Sequence, residues 1–136
     1  MAISIPIIER AEGQRTPMIL LVDDEPGIRF GFSRYLSNTV FVVREATCLT
    51  EAMEALSKEP FNAIILDINL PDGSGLDWIA SLRRNHPDMT IVVITGSGEG
   101  GLAIESILRG ADEFLRKPVS MEDLTVSLRR SLLQEI

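Results

Sequence analysis

From Met18 onward, short runs rich in Ile, Val and Leu recur along the chain, and between them the apolar residues change to helical spacing. The runs are Met18–Val22, Thr39–Val43, Ala63–Leu66, Ile91–Ile94 and, more weakly, Glu113–Leu115. They are continuous rather than alternating, as strands buried on both faces are. Ile28, Phe32, Tyr35 and Leu36 mark one helical face, Met53 and Leu56 a second, and Leu76, Ile79 and Leu82 a third. Met121, Leu124, Leu128 and Leu132 mark the longest, and residues 101–109 give a shorter helix. Pro26 suits a first helical turn, Thr50 and Ser120 suit N-caps, and Gly110 suits a helix stop.

Five strands alternating with five helices call for a parallel sheet covered on both faces. Right-handed crossovers then predict an α/β, flavodoxin-like, doubly wound five-stranded parallel sheet with five helices, in strand order 2-1-3-4-5. The 136 residues suffice for one such domain, expected over 18–136. Residues 1–17 lack periodicity and read as a flexible leader, although Ile3, Ile5, Ile7 and Ile8 also suit an extended arm.

The net charge is −7, with 20 Asp and Glu against 13 Lys and Arg, which argues against nucleic acid or an anionic membrane as a direct partner. The single cysteine, Cys48, excludes an internal disulfide, and the single histidine, His86, disfavours a histidine metal site. No run approaches the ~20 apolar residues of a membrane span, and the start of the chain lacks the basic region of a signal peptide. A reducing, cytoplasmic setting follows as the expectation.

Ligands of such sheets bind at the carboxyl ends of the strands. The first strand ends in Asp23-Asp24-Glu25, carboxylates that repel one another and either face water on a plain loop or, at Asp23 and Asp24, share a cation. The third delivers Asp67, followed by Asn69 and the sharp Pro71-Asp72-Gly73 turn. The fourth ends at Thr95 ahead of Gly96-Ser-Gly-Glu-Gly-Gly101. That stretch spells G-x-G-x-x-G but lacks the acidic residue ≈ 20 positions on at the next strand's end, so it reads as a mobile loop. The fifth ends in Arg116-Lys117-Pro118, with a lysine suited either to a passive counterion among the carboxylates or to a phosphoryl group.

Asp23-Asp24, Asp67, Thr95 and Lys117-Pro118, in that order and spacing, make residues 18–136 resemble the receiver domain of two-component response regulators. The resemblance implies that Asp67 is the phosphoacceptor. It also implies that Asp24, Asp67 and the backbone carbonyl of Asn69 bind Mg²⁺, with Asp23 assisting through water. Thr95 and Lys117 would contact the phosphoryl oxygens, Thr95 and Phe114 would form the switch, and the Lys117–Pro118 bond would be cis. The implied partners are a sensor histidine kinase or a histidine phosphotransfer protein, with a homodimer through the fourth helix, fifth strand and fifth helix also accommodated. The chain would be a phosphoacceptor switch rather than a turnover enzyme.

The chief rival is a phosphatase or phosphotransferase of the haloacid-dehalogenase kind, with Asp67 as nucleophile. In those enzymes a second Asp two residues on serves as general acid; here that position is Asn69. A flavin module is disfavoured because Asp23-Asp24-Glu25 would repel the flavin phosphate. His86 reads as a solvated loop residue, Cys48 as quiet packing, and Trp78 as either core or surface contact. Arg83-Arg84 and Arg129-Arg130 read as solvated helix termini complementing the dipole.

Overall fold

The computed structural model of the chain describes residues 17–37, 41–96 and 101–132. Its elements are β1 (Met18–Val22), α1 (Pro26–Ser37), β2 (Val42–Ala46), α2 (Leu49–Lys58), β3 (Ala63–Asp67), β4 (Asn69–Leu70), β5 (Gly73–Ser74), α3 (Gly75–Asn85), β6 (Thr90–Thr95), α4 (Gly101–Arg109), β7 (Glu113–Arg116) and α5 (Met121–Leu132). Five strands form one parallel sheet in the order β2-β1-β3-β6-β7, which is the expected 2-1-3-4-5 order. β4 and β5, two residues each, pair antiparallel as a separate hairpin directly after the central strand β3.

The continuous apolar strands lie at the centre because both of their faces are covered. Along β1, Leu20 and Val22 point into one core with Ile64, Leu66, Ile91 and Val93, beneath Ala52 of α2 and Leu76, Ile79 and Leu82 of α3. Ile19 and Leu21 point the other way, joining Ile65, Val92 and Ile94 beneath Phe32 and Leu36 of α1 and Leu124 and Leu128 of α5. Each fully buried Leu or Ile contributes about 1.5–3 kcal/mol relative to exposure.

The second strand lies at Val42–Ala46 rather than the expected Thr39–Val43. Its register with β1 pairs Met18 with Val42 and Val22 with Ala46. As an edge strand it needs no continuous apolar run: Arg44 and Glu45 are exposed and pair with Glu59 and with Arg29 and Ser33. The expectation for Thr39 and Val40 lies outside the described residues, as does the leader except at Pro17, whose carbonyl accepts from Val42 N at 2.9 Å.

Two helical faces also need correction. Tyr35 and Met53 are exposed, and Ala52 is the buried residue of α2. Ser120 caps α5 through Asp123 N at 2.9 Å, as expected. Thr50 is not a cap: α2 begins one residue earlier, at Leu49, and its first N–H groups are satisfied by the side chain of Asp72. Gly110 ends α4 with φ +125°, a conformation suited to glycine. Among the described residues no helix is long and apolar enough to cross a membrane.

Candidate functional site

Three parallel strands end side by side, and the chain turns sharply after each. Asp23 leaves β1 with its N–H still paired to Ala46 O at 3.1 Å, and its Oδ1 accepts from Glu25 N at 2.9 Å. That short turn sets Pro26 at the start of α1. Arg29 of α1 reaches back to Asp23 O at 3.0 Å.

Asp67 is the last residue of β3, and its Oδ1 accepts from Asn69 N at 3.0 Å. The following hairpin returns the chain at Gly73, and α3 begins at Gly75 against the strand end. A Cβ on Gly75 would stand 2.8 Å from Asp67 O, so only glycine lets the helix approach this closely. Asp72, at the hairpin's tip, accepts from Leu49 N, Thr50 N and Thr50 Oγ1 at 2.8–3.0 Å. Those hydrogen bonds hold its carboxyl down at about 2.

Thr95 closes β6, fully buried, and its Oγ1 accepts from Asn69 Nδ2 at 3.3 Å. Its carbonyl accepts from Lys117 N at 2.9 Å, which carries the lysine in from the end of β7. The Lys117–Pro118 bond is cis. Lys117 Nζ donates to Glu25 Oε1 at 2.9 Å and Asp67 Oδ2 at 3.0 Å, and stands 3.1 Å from Asp23 Oδ2.

Burial pushes the Asp67 carboxyl up, and the Asp23 charge adds to it; the Lys117 hydrogen bond and the Asn69 amide pull the other way without prevailing. Burial also acts to lower the Lys117 ammonium, but its hydrogen bonds to Glu25 and Asp67, with Asp23 beside it, raise it well above the ordinary range. The lysine is therefore charged at any physiological pH.

One oxygen of each of Asp23, Asp24 and Asp67 lies within 4.8 Å of the others. Asp23 Oδ2 is buried with no hydrogen bond, since Lys117 faces it off the bonding direction. A buried, unsatisfied oxygen beside two further carboxylates fits a small, hard divalent cation.

Asp23, Asp24, Asp67, Asn69, Thr95 and Lys117 are thus gathered at one sheet edge. Phe114 pairs in register with Val93 and packs, half-buried, on the same sheet face as that residue. Side-chain alternation puts Thr95 on that face too. Of the glycine loop expected over 96–101, residues 97–100 lie outside the described residues.

Glu25 is the lysine's third partner, a role its place in the sequence does not by itself announce. The third carboxylate of the run, directly before a helix-starting proline, was the available signal. Arg83 is not a solvated helix terminus. Its guanidinium donates to the carbonyls of Gly110, His86, Pro87 and Met89 and to Asp112, tying α3 to the starts of β6 and β7. Arg130 pairs with Glu113, and Arg129 buries its Nε. His86 caps α3 and is half-buried, Trp78 packs partly buried against the core, and Cys48 occupies the N-cap position of α2.

A sequence profile of the response regulator receiver domain matches residues 19–129. The response regulator protein PilR of Pseudomonas aeruginosa is 40% identical over 102 residues, which are 75% of this chain and 23% of PilR. The chain thus spans about a quarter of that relative's length. Among solved structures, the CheY-like receiver domain protein from Methanospirillum hungatei JF-1 superposes with a TM-score of 0.84 at 28% identity, covering 88% of this chain and 96% of that one. The beryllofluoride-activated NtrC4 receiver domain dimer gives a TM-score of 0.81 at 34% identity, covering 86% and 97%. The haloacid-dehalogenase alternative finds no support in these likenesses. Matched over most of its length by that profile and folded as those solved domains are, the chain belongs to the response regulator receiver domain family and is a module of phosphorelay signal transduction.

Proposed function

We propose that Asp67 accepts a phosphoryl group from the phosphohistidine of a sensor histidine kinase or histidine phosphotransfer protein. The observation that carries this reading is the Lys117 ammonium 3.0 Å from Asp67 Oδ2, beside the Asp23–Asp24–Asp67 oxygens. A carboxylate so placed is an oxygen nucleophile with a fixed cation at its side. An Asp67 oxygen bonds to phosphorus as the donor's phosphorus–nitrogen bond breaks, and the imidazole keeps the electron pair.

Asp24, Asp67 and the Asn69 carbonyl would hold Mg²⁺, with Asp23 acting through water. When bound, Mg²⁺ supplies the positive charge that neutralises nucleophile and phosphoryl group together. Lys117 contributes the second positive charge and Thr95 a hydroxyl donor to the phosphoryl oxygens. Drawing Thr95 toward the new oxygens loosens its link to Asn69 and reshapes the space beside Phe114. This biases a two-state switch. Asn69 carries no acid to protonate a leaving alcohol, so the chain acts as a phosphoacceptor and not as a turnover phosphatase.

The output face is α4, β7 and α5, where Ile104, Ile107, Leu108 and Val126 are exposed. A second copy of the chain suits this face, and the NtrC4 receiver was solved as a dimer. The folded unit is taken as 18–136, acting in the cytoplasm without direct contact to nucleic acid or membrane. Intact-mass measurement with a small phosphodonor tests the reading. One phosphoryl group should be gained with Mg²⁺ and none after chelation; equal gain in both would overturn it.

A further inference from the structure

Lys117 is enclosed by carboxylates before any phosphoryl group arrives. Of its three hydrogens, two are donated to Glu25 and Asp67 at 2.9 and 3.0 Å, and Asp23 Oδ2 closes the third side at 3.1 Å as an ion pair without a hydrogen bond. A phosphoryl oxygen gains Lys117 only if one of them gives way. Asp23 and Asp67 have side chains 0% and 5% exposed, held by the turns at the ends of β1 and β3, whereas the Glu25 side chain is 58% exposed. Glu25 is the partner that leaves at least cost, because water can replace its hydrogen bond.

We infer that Glu25 is a positioning residue that acts through Lys117, occupying the lysine's phosphoryl-facing donor in the resting state and competing with the phosphoryl group for it. The inference rests on the phosphoacceptor reading of Asp67 and adds to it a brake. Glu25 exerts that brake through its contact with the ammonium at 2.9 Å and not through its charge alone. It also gives Lys117 a resting partner to return to when the phosphoryl group is lost. The run Asp23-Asp24-Glu25 therefore divides by burial: Asp23 stands against the lysine from within the fold and Glu25 meets it from the solvent side.

The test is titration of the full chain with beryllofluoride in Mg²⁺, followed by calorimetry, comparing the parent with Glu25→Gln and Glu25→Asp; Mg²⁺ alone is titrated in parallel. Glu25→Gln removes the charge and keeps the length, while Glu25→Asp keeps the charge and withdraws it from Lys117 by one methylene. Both should bind beryllofluoride about three- to fivefold more tightly, the scale of one partly exposed ion pair. Affinity for Mg²⁺ alone should stay within about twofold of the parent, because Glu25 is not among its ligands. Unchanged or weaker beryllofluoride binding by Glu25→Gln overturns the inference. So does tighter binding by Glu25→Gln with parental binding by Glu25→Asp, since general repulsion would then explain the effect. Failure of every variant, parent included, to bind beryllofluoride would instead remove the phosphoacceptor reading, and this inference with it.

Discussion

Lys117 Nζ and Asp67 Oδ2 are 3.0 Å apart although Lys117 follows β7 and Asp67 ends β3, strands that are not neighbours in the sheet. The lysine reaches across the end of β6 and so spans the site that Thr95 floors. Its removal leaves Asp23 and Asp67 buried without a counter-charge. Replacing one partner of a buried pair typically costs about 3–5 kcal/mol; the open sheet edge reduces this to roughly 2 kcal/mol for Lys117→Met. Urea unfolding without metal should show that loss at pH 7, and Mg²⁺ should restore part of it.

Burial raises the Asp67 carboxyl above its ordinary value of 3.8, so the folded chain holds this proton more tightly than the unfolded chain. Stability from this group is therefore present below 3.8 and is lost as pH rises through the folded value. Asp67→Asn should be more stable than the parent at pH 7, by about 1 kcal/mol, as substitutions at functional charges often are. The gap should close as pH falls toward 3.8. A parent more stable than the variant at pH 7 would contradict this assignment.

Asp72 behaves in the opposite sense. Its carboxyl is held at about 2 against 3.8 by the backbone N–H groups of Leu49 and Thr50. Its contribution is present above 3.8 and disappears as pH falls through about 2. Asp72→Ala should lower the thermal midpoint at pH 7 and leave it unchanged near pH 2. Thr50→Val should matter less, since Thr50 Oγ1 is only one of three donors to that carboxylate.

Gly75→Ala probes the approach of α3 to the end of β3. The added methyl would meet Asp67 O, Ile68 Cα and Leu66 Cγ at 2.8–3.3 Å, two of them backbone-fixed. A loss of about 1–3 kcal/mol is expected in chemical unfolding. Phosphoryl uptake should slow as well, because the strand end carrying Asp67 must shift.

How much of this was legible in the sequence follows from the range over which each interaction acts. The buried strands, the parallel order and the strand-end residues Asp67, Thr95 and Lys117 depend on local apolar pattern and on topology, and both are written in the chain. The second strand was misplaced because an edge strand tolerates Arg44 and Glu45, which conceal its period. The cap of α2 was misassigned because Asp72 acts from 22 residues away. Arg83 reads as a solvated helix terminus and Glu25 as one more carboxylate of its run for the same reason: their partners, Gly110 and Lys117, lie 27 and 92 residues further on. Side-chain bonds across such separations leave no periodic trace.

Transmission is expected on the α4–β7–α5 face. Hydrogen exchange with and without beryllofluoride should change most over residues 96–115, with α1 and α2 little affected. Changes confined to α1 and α2 would reduce Phe114 to core packing and move the output elsewhere.

The central claim is the identity of the phosphoacceptor, and covalent mapping tests it most directly. The chain is phosphorylated with a small phosphodonor in Mg²⁺, reduced with borohydride so that an aspartyl phosphate becomes homoserine, then digested and sequenced by mass spectrometry. The account predicts homoserine at position 67 alone, and none anywhere in Asp67→Asn. Homoserine at position 23 or 24 in the parent, or undiminished labelling of Asp67→Asn, would contradict it.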